Sequence, residues 1–444
     1  MLSKTDQRWL IIFLTFIVAV VAGSHAAGTT ADFAQTPAFA SDNPQSIYAA
    51  DPNDPWNRIF HALFTRTVEA RISDAFRDGA PFIRFRVPMG SFSLRISSRK
   101  FSRTELGDRA IEPLYPAFFT AEGPLQVLSE PRFSDLTSAL RQAIAETKNR
   151  SAIERALMQA DVWACYDRIF AIGRGSAQGH SATAERTEKL LSLLRQFIRK
   201  LALSTEEINS LKSNYLLAAS SSRLPNVFLP DTGWIEIELL PPRLHDEAAR
   251  YRRAARVFVK PRTTPSDPRA FVESLKNDQH QDQLAAVALV VQNLLIDTSG
   301  RVVPSPVFSD VQFRFFKNDP KTGEISTEPQ QFELSRRKLL TEPTSGGFVE
   351  FGATAPAYLS TAGNDYDFAT PVQEANAPIM APLRTRCSQC HGSPLTTLMT
   401  YSIQNIPPVP TVRILKSSDN ERAFYVAQRK EEHEDFKSLI KENF

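Results

Sequence analysis

The residues of this chain best suited to chemistry are Cys387, Cys390 and His391, in the run Cys-Ser-Gln-Cys-His. Two thiols with two residues between them can each add to one vinyl group of a porphyrin. The next side chain then lies against the ring, where its imidazole reaches the iron. The spacing therefore predicts a covalent attachment site for haem.

Other interpretations of the two thiols have weaker support. A zinc site needs four ligands, and the sequence has no second Cys pair or nearby His pair to complete one. A thioredoxin-like redox pair opens a long helix, whereas Gly392 and Pro394 follow this motif at once. A plain disulfide leaves His391 without a role, and closing so short a loop stabilises little. A thiol–disulfide function stays open beside the haem interpretation.

The run from Arg386 to Gly392 resembles the haem-binding segment of bacterial c-type cytochromes. The resemblance covers this segment and little else. It implies haem c as the cofactor, with Cys387 and Cys390 holding it and His391 as the proximal iron ligand. Small cytochromes of this type carry a methionine ligand well after the motif. Here Met399 is the only methionine after His391, so the second axial ligand is left open.

His433 is the first candidate for that second ligand. Residues 418–444 predict one terminal helix, capped by Ser418 or Asp419. On this helix His433 shares an apolar stripe, because its spacing from neighbouring apolar residues follows the helical period. Those apolar residues are Val426, Phe436 and Ile440.

The other candidates for the second ligand are more distant. Met380 and Met399 are alternatives, although Met399 would have to wrap the haem edge almost fully extended from His391. His61 lies in an apolar run, where an ordinary buried or half-buried histidine is the simpler interpretation. An iron with an open site is the remaining alternative.

The N-terminus predicts export, which thioether-bound haem requires. Lys4 and Arg8 precede an apolar run at residues 9–22, and Ser24 and Ala26 fit a small-x-small cleavage site. The run is short for a bilayer span of about 20 residues. Residues 1–26 are therefore predicted to be a cleaved signal peptide of a periplasmic or exported protein. An uncleaved anchor on the outer face of the inner membrane is the alternative.

Composition describes an ordinary globular protein of more than one core. The chain has 444 residues, of which 42% are hydrophobic and 23% charged, with a formal net charge of +3. This balance gives no indication of nucleic-acid binding. The third cysteine, Cys165, lies in an apolar helical pattern and is expected to be a buried thiol.

The elements that must position the motif predict an α+β chain. After a flexible lead-in at 27–53, residues 54–225 predict a mainly helical domain and residues 226–375 a mainly antiparallel β-rich domain. Residues 376–444 predict a small, helical, cytochrome c-like haem segment, with a short helix or turn leading into the motif. So small a segment is expected to pack against the β region and to bury one haem face there.

Several local patterns support that division. Asp54 is predicted to cap a helix, and the run Ser204–Glu207 predicts a capping box. Residues 284–296 are continuously apolar and favour a strand over a buried helix. In the predicted strand at 233–240, apolar residues alternate with Glu236 and Glu238, whose carboxylates are expected on a solvated face.

The prediction of function depends on the Cys387–His391 motif rather than on the domains upstream of it. The first expectation is an exported monohaem c-type cytochrome that transfers electrons to a redox protein partner. The alternatives are a haem-dependent oxidoreductase or ligand sensor with an open iron site, or a thiol–disulfide redox protein. No residue pair in the upstream domains forms an acid–base or nucleophile constellation, so no catalytic residue is predicted there.

Overall fold

A computed structural model describes residues 46–64, 71–72, 127–128, 130–175, 181–221, 224–240, 253–274, 283–318, 321, 325–351, 356–359, 379–382 and 411–441. The predicted signal peptide and most of the predicted lead-in lie outside these residues. So does the Cys387–His391 motif.

The described part of the N-terminal region is helical, as the sequence predicts. Its helices are α1 Pro55–Phe64, α2 Arg132–Glu146, α3 Ala152–Gly175, α4 Ser181–Leu201, α5 Thr205–Ser210 and α6 Asn214–Ser220.

Caps and apolar stripes explain where these helices form. Asp54 accepts a hydrogen bond from the Trp56 backbone at the start of α1, at 2.9 Å. Ser204 and Glu207 form the predicted capping box of α5, each side chain bonding the other's backbone N–H. One face of α4 is buried in the core. The residues of that face are Leu190, Leu191, Leu194, Phe197, Ile198 and Leu201.

The remaining described elements are mainly strands. The strands are β1 Arg71–Ile72, β2 Ile235–Leu240, β3 Arg253–Pro261, β4 Leu284–Ile296, β5 Val302–Asn318, β6 Ile325–Leu334, β7 Phe348–Phe351, β8 Pro356–Leu359, β9 Ile379–Pro382 and β10 Thr411–Ile414. The helices are α7 Pro268–Ser274, α8 Arg336–Thr341, α9 Glu421–Glu431 and α10 Glu434–Ile440.

Among the described residues, seven strands form one antiparallel sheet in the order β10-β2-β3-β4-β5-β6-β7. The predicted antiparallel β region is therefore confirmed, and so is the strand at 284–296. The α+β class is confirmed as well, with helices before the sheet and after it. The C-terminal residues 411–441 pack against the sheet as expected, and β10 forms one of its edges.

Upstream of the motif, where the sequence predicts a short helix or turn, residues 379–382 form a strand instead, and residues 383–386 lie outside the described residues. Residues 379–382 form β9, which lies between β1 and β8 in a three-stranded sheet. It runs parallel to β1 and antiparallel to β8. Pro382 favours this strand, because the residue that precedes a proline, here Ala381, is restricted to extended conformations.

Both faces of the seven-stranded sheet are buried, each against a different group of residues. One face packs on the helices: Phe258, Val290 and Phe313 belong to the same core cluster as Leu194 and Phe197 of α4. The opposite face forms a smaller cluster in which Ile237, Val259 and Val287 pack with Phe271 and Val272 of α7. Cys165 of α3 is fully buried in the larger cluster, as predicted.

The predicted single terminal helix is wrong, because the structure contains two. Helix α9 ends at Glu431, and α10 begins after His433, whose backbone is extended with φ −75° and ψ 146°. Asn420 occupies the N-cap position of α9, in place of the predicted Ser418 or Asp419. Acidic side chains are unfavourable at a helix C-terminus and favourable at an N-terminus. The acidic run around His433 therefore favours a new helix start over continuation.

The turn between β4 and β5 joins the sheet to the helices. Asp297 accepts hydrogen bonds from the hydroxyls of Thr205 at 2.7 Å and Ser299 at 2.6 Å, and from the backbone of Arg301 at 2.9 Å. Burial raises the pKa of Asp297, but these hydrogen bonds outweigh it, and the net result is a pKa below the usual value.

We expect Asp297→Asn to cost about 2 kcal/mol of unfolding free energy at pH 7, because the ionised carboxylate accepts four hydrogen bonds in the folded protein. A lowered folded pKa means that this contribution is present above the unfolded value of 3.8 and lost as pH falls through the folded pKa. Urea unfolding at pH 7 and near pH 3 checks the prediction. The exposed Asp231→Asn is the control, and a deficit equal at both pH values would contradict it.

Candidate functional site

The segment that carries the motif is joined at both ends to strands. Residues 383–410 connect β9, the middle strand of the small sheet, to β10, the edge strand of the large sheet. Cys387, Cys390 and His391 lie in this connection, outside the described residues, and so does Met399. The described structure therefore gives the two anchors of the candidate haem site and its neighbour downstream.

That downstream neighbour is the C-terminal clasp, defined here as residues 411–441 with β10, α9 and α10. Helix α9 lies across the helix-bearing face of the large sheet. Near its start, Arg422 donates to Glu238 of β2. At its end, Glu431 accepts from the Val302 backbone of β5 at 2.9 Å. The clasp therefore binds four neighbouring strands, from β2 to β5.

The first anchor of α9 is a buried arginine on β3. The Arg256 guanidinium donates to both carboxylate oxygens of Glu236, at 2.8 and 2.7 Å, and to Asn420 Oδ1 at 2.6 Å. It also lies 4.7 Å from the centre of the Phe228 ring. The Asn420 side chain binds this guanidinium and leaves the N-terminus of α9 without a side-chain cap. The start of the helix is thus fixed to the sheet.

The second anchor corrects an expectation from the sequence. Alternation predicts Glu236 and Glu238 on a solvated face of β2, but they are only 3% and 5% exposed. Arg422 donates to Glu238 at 3.0 Å, and Arg256 pairs with Glu236. Both carboxylates lie under α9. This helix covers the face of β2 that the alternation predicts to be solvated. Burial lowers the pKa of Arg422, and Glu238 acts in the opposite direction.

The third anchor ties the clasp to the helical layer. Lys430 is fully buried, and its Nζ donates to Asp167 of α3 at 2.7 Å and to Asp435 of α10 at 2.8 Å. Phe436 packs against Trp163 of α3, with ring centres 6.0 Å apart. The clasp therefore bridges the sheet and α3.

His433 lies at the junction of α9 and α10 and is half-buried. Its backbone N–H donates to Lys430, and its carbonyl accepts from Lys437. Val426 and Phe436 of the predicted stripe are buried and Ile440 is partly buried, but the helix break moves His433 off that stripe. The chain from His391 to Thr411 advances twenty positions and can span on the order of 65 Å. Four strand spacings, from β10 to β5, amount to about 20 Å. Chain length alone is therefore no obstacle to pairing the two histidines.

The two remaining described candidates occupy other parts of the fold. His61 is half-buried in α1, with its ring 6.1 Å from the Phe60 ring, as the simpler interpretation of this histidine predicts. Met380 lies in β9, opposite Ile72 of β1 and Tyr358 of β8.

Within the described ranges, no group of three or more His, Cys, Asp and Glu side chains could hold a metal ion. None of the helices in the described part of the chain has the length and apolar character needed to cross a membrane.

The sequence prediction missed the charged residues that anchor the clasp. A signal was present in α9, where Ala423, Val426, Ala427 and Lys430 recur at helical spacing. A lysine on the buried stripe of a helix requires a carboxylate partner in the core. The partner itself, Asp167, is 263 residues away and has no local signal.

No family model, curated protein or solved structure matches this chain. Function is therefore inferred from the chain's own residues.

Proposed function

We propose that this protein is an exported monohaem c-type cytochrome that transfers electrons to a redox protein partner. The observation that carries the proposal is the sequence Cys387-Ser-Gln-Cys390-His391. Haem supplies an iron that cycles between the ferric and ferrous states. Both cysteines retain the haem through thioether bonds, and His391 binds the iron.

The motif lies in a connection between two strands of the described structure. The connection that carries Cys387, Cys390 and His391 follows β9 and precedes β10, and the clasp beyond it is fixed by buried ion pairs. Covalent attachment keeps the haem bound where one edge stays open to a partner.

We expect wild-type protein, expressed with a haem-ligation system, to carry the mass of one haem on its polypeptide. Its pyridine haemochrome spectrum should be that of thioether-bound haem. The double variant Cys387→Ser/Cys390→Ser should lose covalent haem completely, because no thiol remains to add to the vinyl groups. Intact-mass measurement checks both results.

Cys165→Ala is the matched control for that experiment, because Cys165 is buried in α3 and lies outside the motif. This variant should keep its haem. A colourless wild-type protein with the mass of its polypeptide alone would overturn the proposal. Reversible oxidation of Cys387 and Cys390 in that colourless protein would instead favour the thiol–disulfide function.

We further propose His433 as the second ligand on chain reach alone, because the helix break removes the apolar-stripe argument for it; bound to the iron, His433 would make that iron low-spin. His433→Ala should convert the iron from six-coordinate low-spin to high-spin, and His61→Ala should leave the spectrum unchanged. Absorption spectra of the ferric and ferrous forms check this. An iron that is already high-spin in the wild type and binds added carbon monoxide would favour the oxidoreductase or sensor function.

A further inference from the structure

Helix α9 exposes two adjacent aromatic side chains on the face that points away from the sheet. Phe424 is 56% exposed and Tyr425 is 39% exposed. Among the described residues, Leu216 and Leu229 are the other large hydrophobic side chains with such exposure. Aromatic residues are enriched in surfaces that another protein covers. The exposed face of α9 is therefore a candidate interface.

The two aromatic residues belong to a row of exposed side chains that runs along α9. We define the outer stripe as Glu421, Phe424, Tyr425, Gln428 and Arg429, all of them exposed. Their spacings of three, one, three and one follow the helical period, so the five side chains share one face. The residues between them are buried. Helix α9 therefore has one side in the core and a second side suited to packing against another helix.

The charges of the outer stripe are placed symmetrically about Tyr425. Glu421 lies about one turn before Tyr425 and Arg429 about one turn after it, each about 6 Å away along the helix axis. If two such helices pack antiparallel and cross at Tyr425, Glu421 of each helix faces Arg429 of the other. This arrangement also places opposite ends of the two helix dipoles side by side. The stripe is complementary to a second copy of itself.

The ion pair that Arg429 makes within the chain is compatible with this arrangement. Arg429 binds Glu432, and both side chains are 52% exposed. A guanidinium has five N–H donors, so it can bind a second carboxylate without losing the first.

We propose that the outer stripe binds the outer stripe of a second copy of this chain and forms a twofold symmetric dimer. A twofold interface uses the same surface patch of both subunits, so the patch must be complementary to itself. The two Tyr425 rings meet at the axis, and Phe424 of each copy is covered beside them. Two pairs of Glu421 with Arg429 flank this apolar centre. The interface buries less than about 1,000 Å², so the dimer is weak, with a dissociation constant on the order of 10–100 μM.

Sedimentation equilibrium of the full protein between about 5 and about 500 μM tests the proposal. The average mass should rise from that of one chain toward that of two. Phe424→Glu and Tyr425→Glu should each raise the dissociation constant at least about tenfold, because each places a carboxylate in the apolar centre. Leu216→Glu is the matched control, because Leu216 is 45% exposed but lies on α6. This control should leave the association unchanged.

Reversal of the charges tests the antiparallel register. Glu421→Arg and Arg429→Glu should each raise the dissociation constant about tenfold, because like charges then face each other at both ends of the stripe. An equal mixture of these two variants should associate with nearly the wild-type affinity. In that mixed dimer, a stripe with two basic groups faces a stripe with two acidic groups.

A mass of one chain at every concentration would overturn the proposal, and this result needs no variant to fold. If that monomeric protein bound phosphatidylglycerol vesicles through Phe424, the stripe would contact a lipid surface instead. A dimer that keeps its affinity in both Phe424→Glu and Tyr425→Glu would also overturn the proposal, because another surface would then form the contact. A mixture of the two charge variants that associates no better than either alone would rule out the antiparallel register.

Discussion

Replacing Glu236 by alanine should destabilise the protein by about 3–5 kcal/mol, one of the two largest effects that we expect from a single substitution. The Arg256 guanidinium is buried at 1% exposure and would lose both of its hydrogen bonds to the Glu236 carboxylate. Its acceptors Gln292 and Asn420 are neutral and do not replace that charge. Removing the carboxylate that faces a buried cation leaves its desolvation penalty uncompensated.

Urea unfolding of wild type and variant measures this effect through the shift in transition midpoint. Glu328→Ala is the matched control, because Glu328 is also a strand glutamate in an ion pair, with Lys317, but both side chains are more than half exposed. We expect the control to cost about 0.5 kcal/mol or less. Similar losses in the two variants would show that Arg256 is less buried than the structure indicates.

Replacing Gly346 by alanine should cost about 4 kcal/mol or more. Gly346 has φ +70°, a left-handed conformation that disfavours other residues, and it lies against α6. A Cβ at this position would lie 2.8 Å from the Ala218 backbone nitrogen and 2.9 Å from the Ala218 Cβ. Neither neighbour can move without shifting α6, so the strain and the clash add.

Gly233→Ala separates the two contributions. Gly233 has nearly the same backbone angle, φ +75°, but a methyl group added at its Cα would meet no atom within 4 Å. Gly233→Ala should lower the free energy of unfolding only by the cost of the left-handed backbone conformation, about 1–2 kcal/mol. Thermal and urea unfolding of both variants give the comparison. Equal losses would mean that α6 moves away from Gly346 at little cost.

Much of the fold follows from local patterns. The capping box at Ser204, the leucine face of α4 and the valine-rich strand at 284–296 each depend on residues close together in sequence. Periodicity and capping report such short-range arrangements well. The antiparallel sheet is predicted for the same reason, because its strands alternate or run apolar between clear turns.

The prediction that the charged face of β2 is solvated is wrong, because apolar–polar alternation has two possible causes. The polar face of a strand can be open to solvent, or charged partners from other elements can cover it. Glu236 and Glu238 alternate with apolar residues as a solvated strand face does. Their actual partners, Arg256 and Arg422, come from β3 and α9, and Arg422 is 184 residues away. A period of two shows that the strand has a polar second face. Whether solvent or another element covers that face depends on the tertiary structure.

The helix break at His433 could be predicted from the sequence. Apolar spacing alone predicts one helix, whereas the surrounding Glu431, Glu432, Glu434 and Asp435 favour a helix start. Of the candidate site, the haem motif and its ligand His391 come directly from spacing and stay a prediction. The charged contacts that fix the clasp join three separate parts of the chain, so only the three-dimensional structure reveals them.

The clasp has a consequence for the order in which the elements of the chain are made and fold. Synthesis runs from the N-terminus, so β10, α9 and α10 are made last, after every other described element. Until they arrive, β2 is an unpaired edge, and the cations that bind Glu238 and Asp167 have yet to be made. A chain truncated before Thr411 would therefore keep β2 as an aggregation-prone edge, which β10 covers in the full sheet.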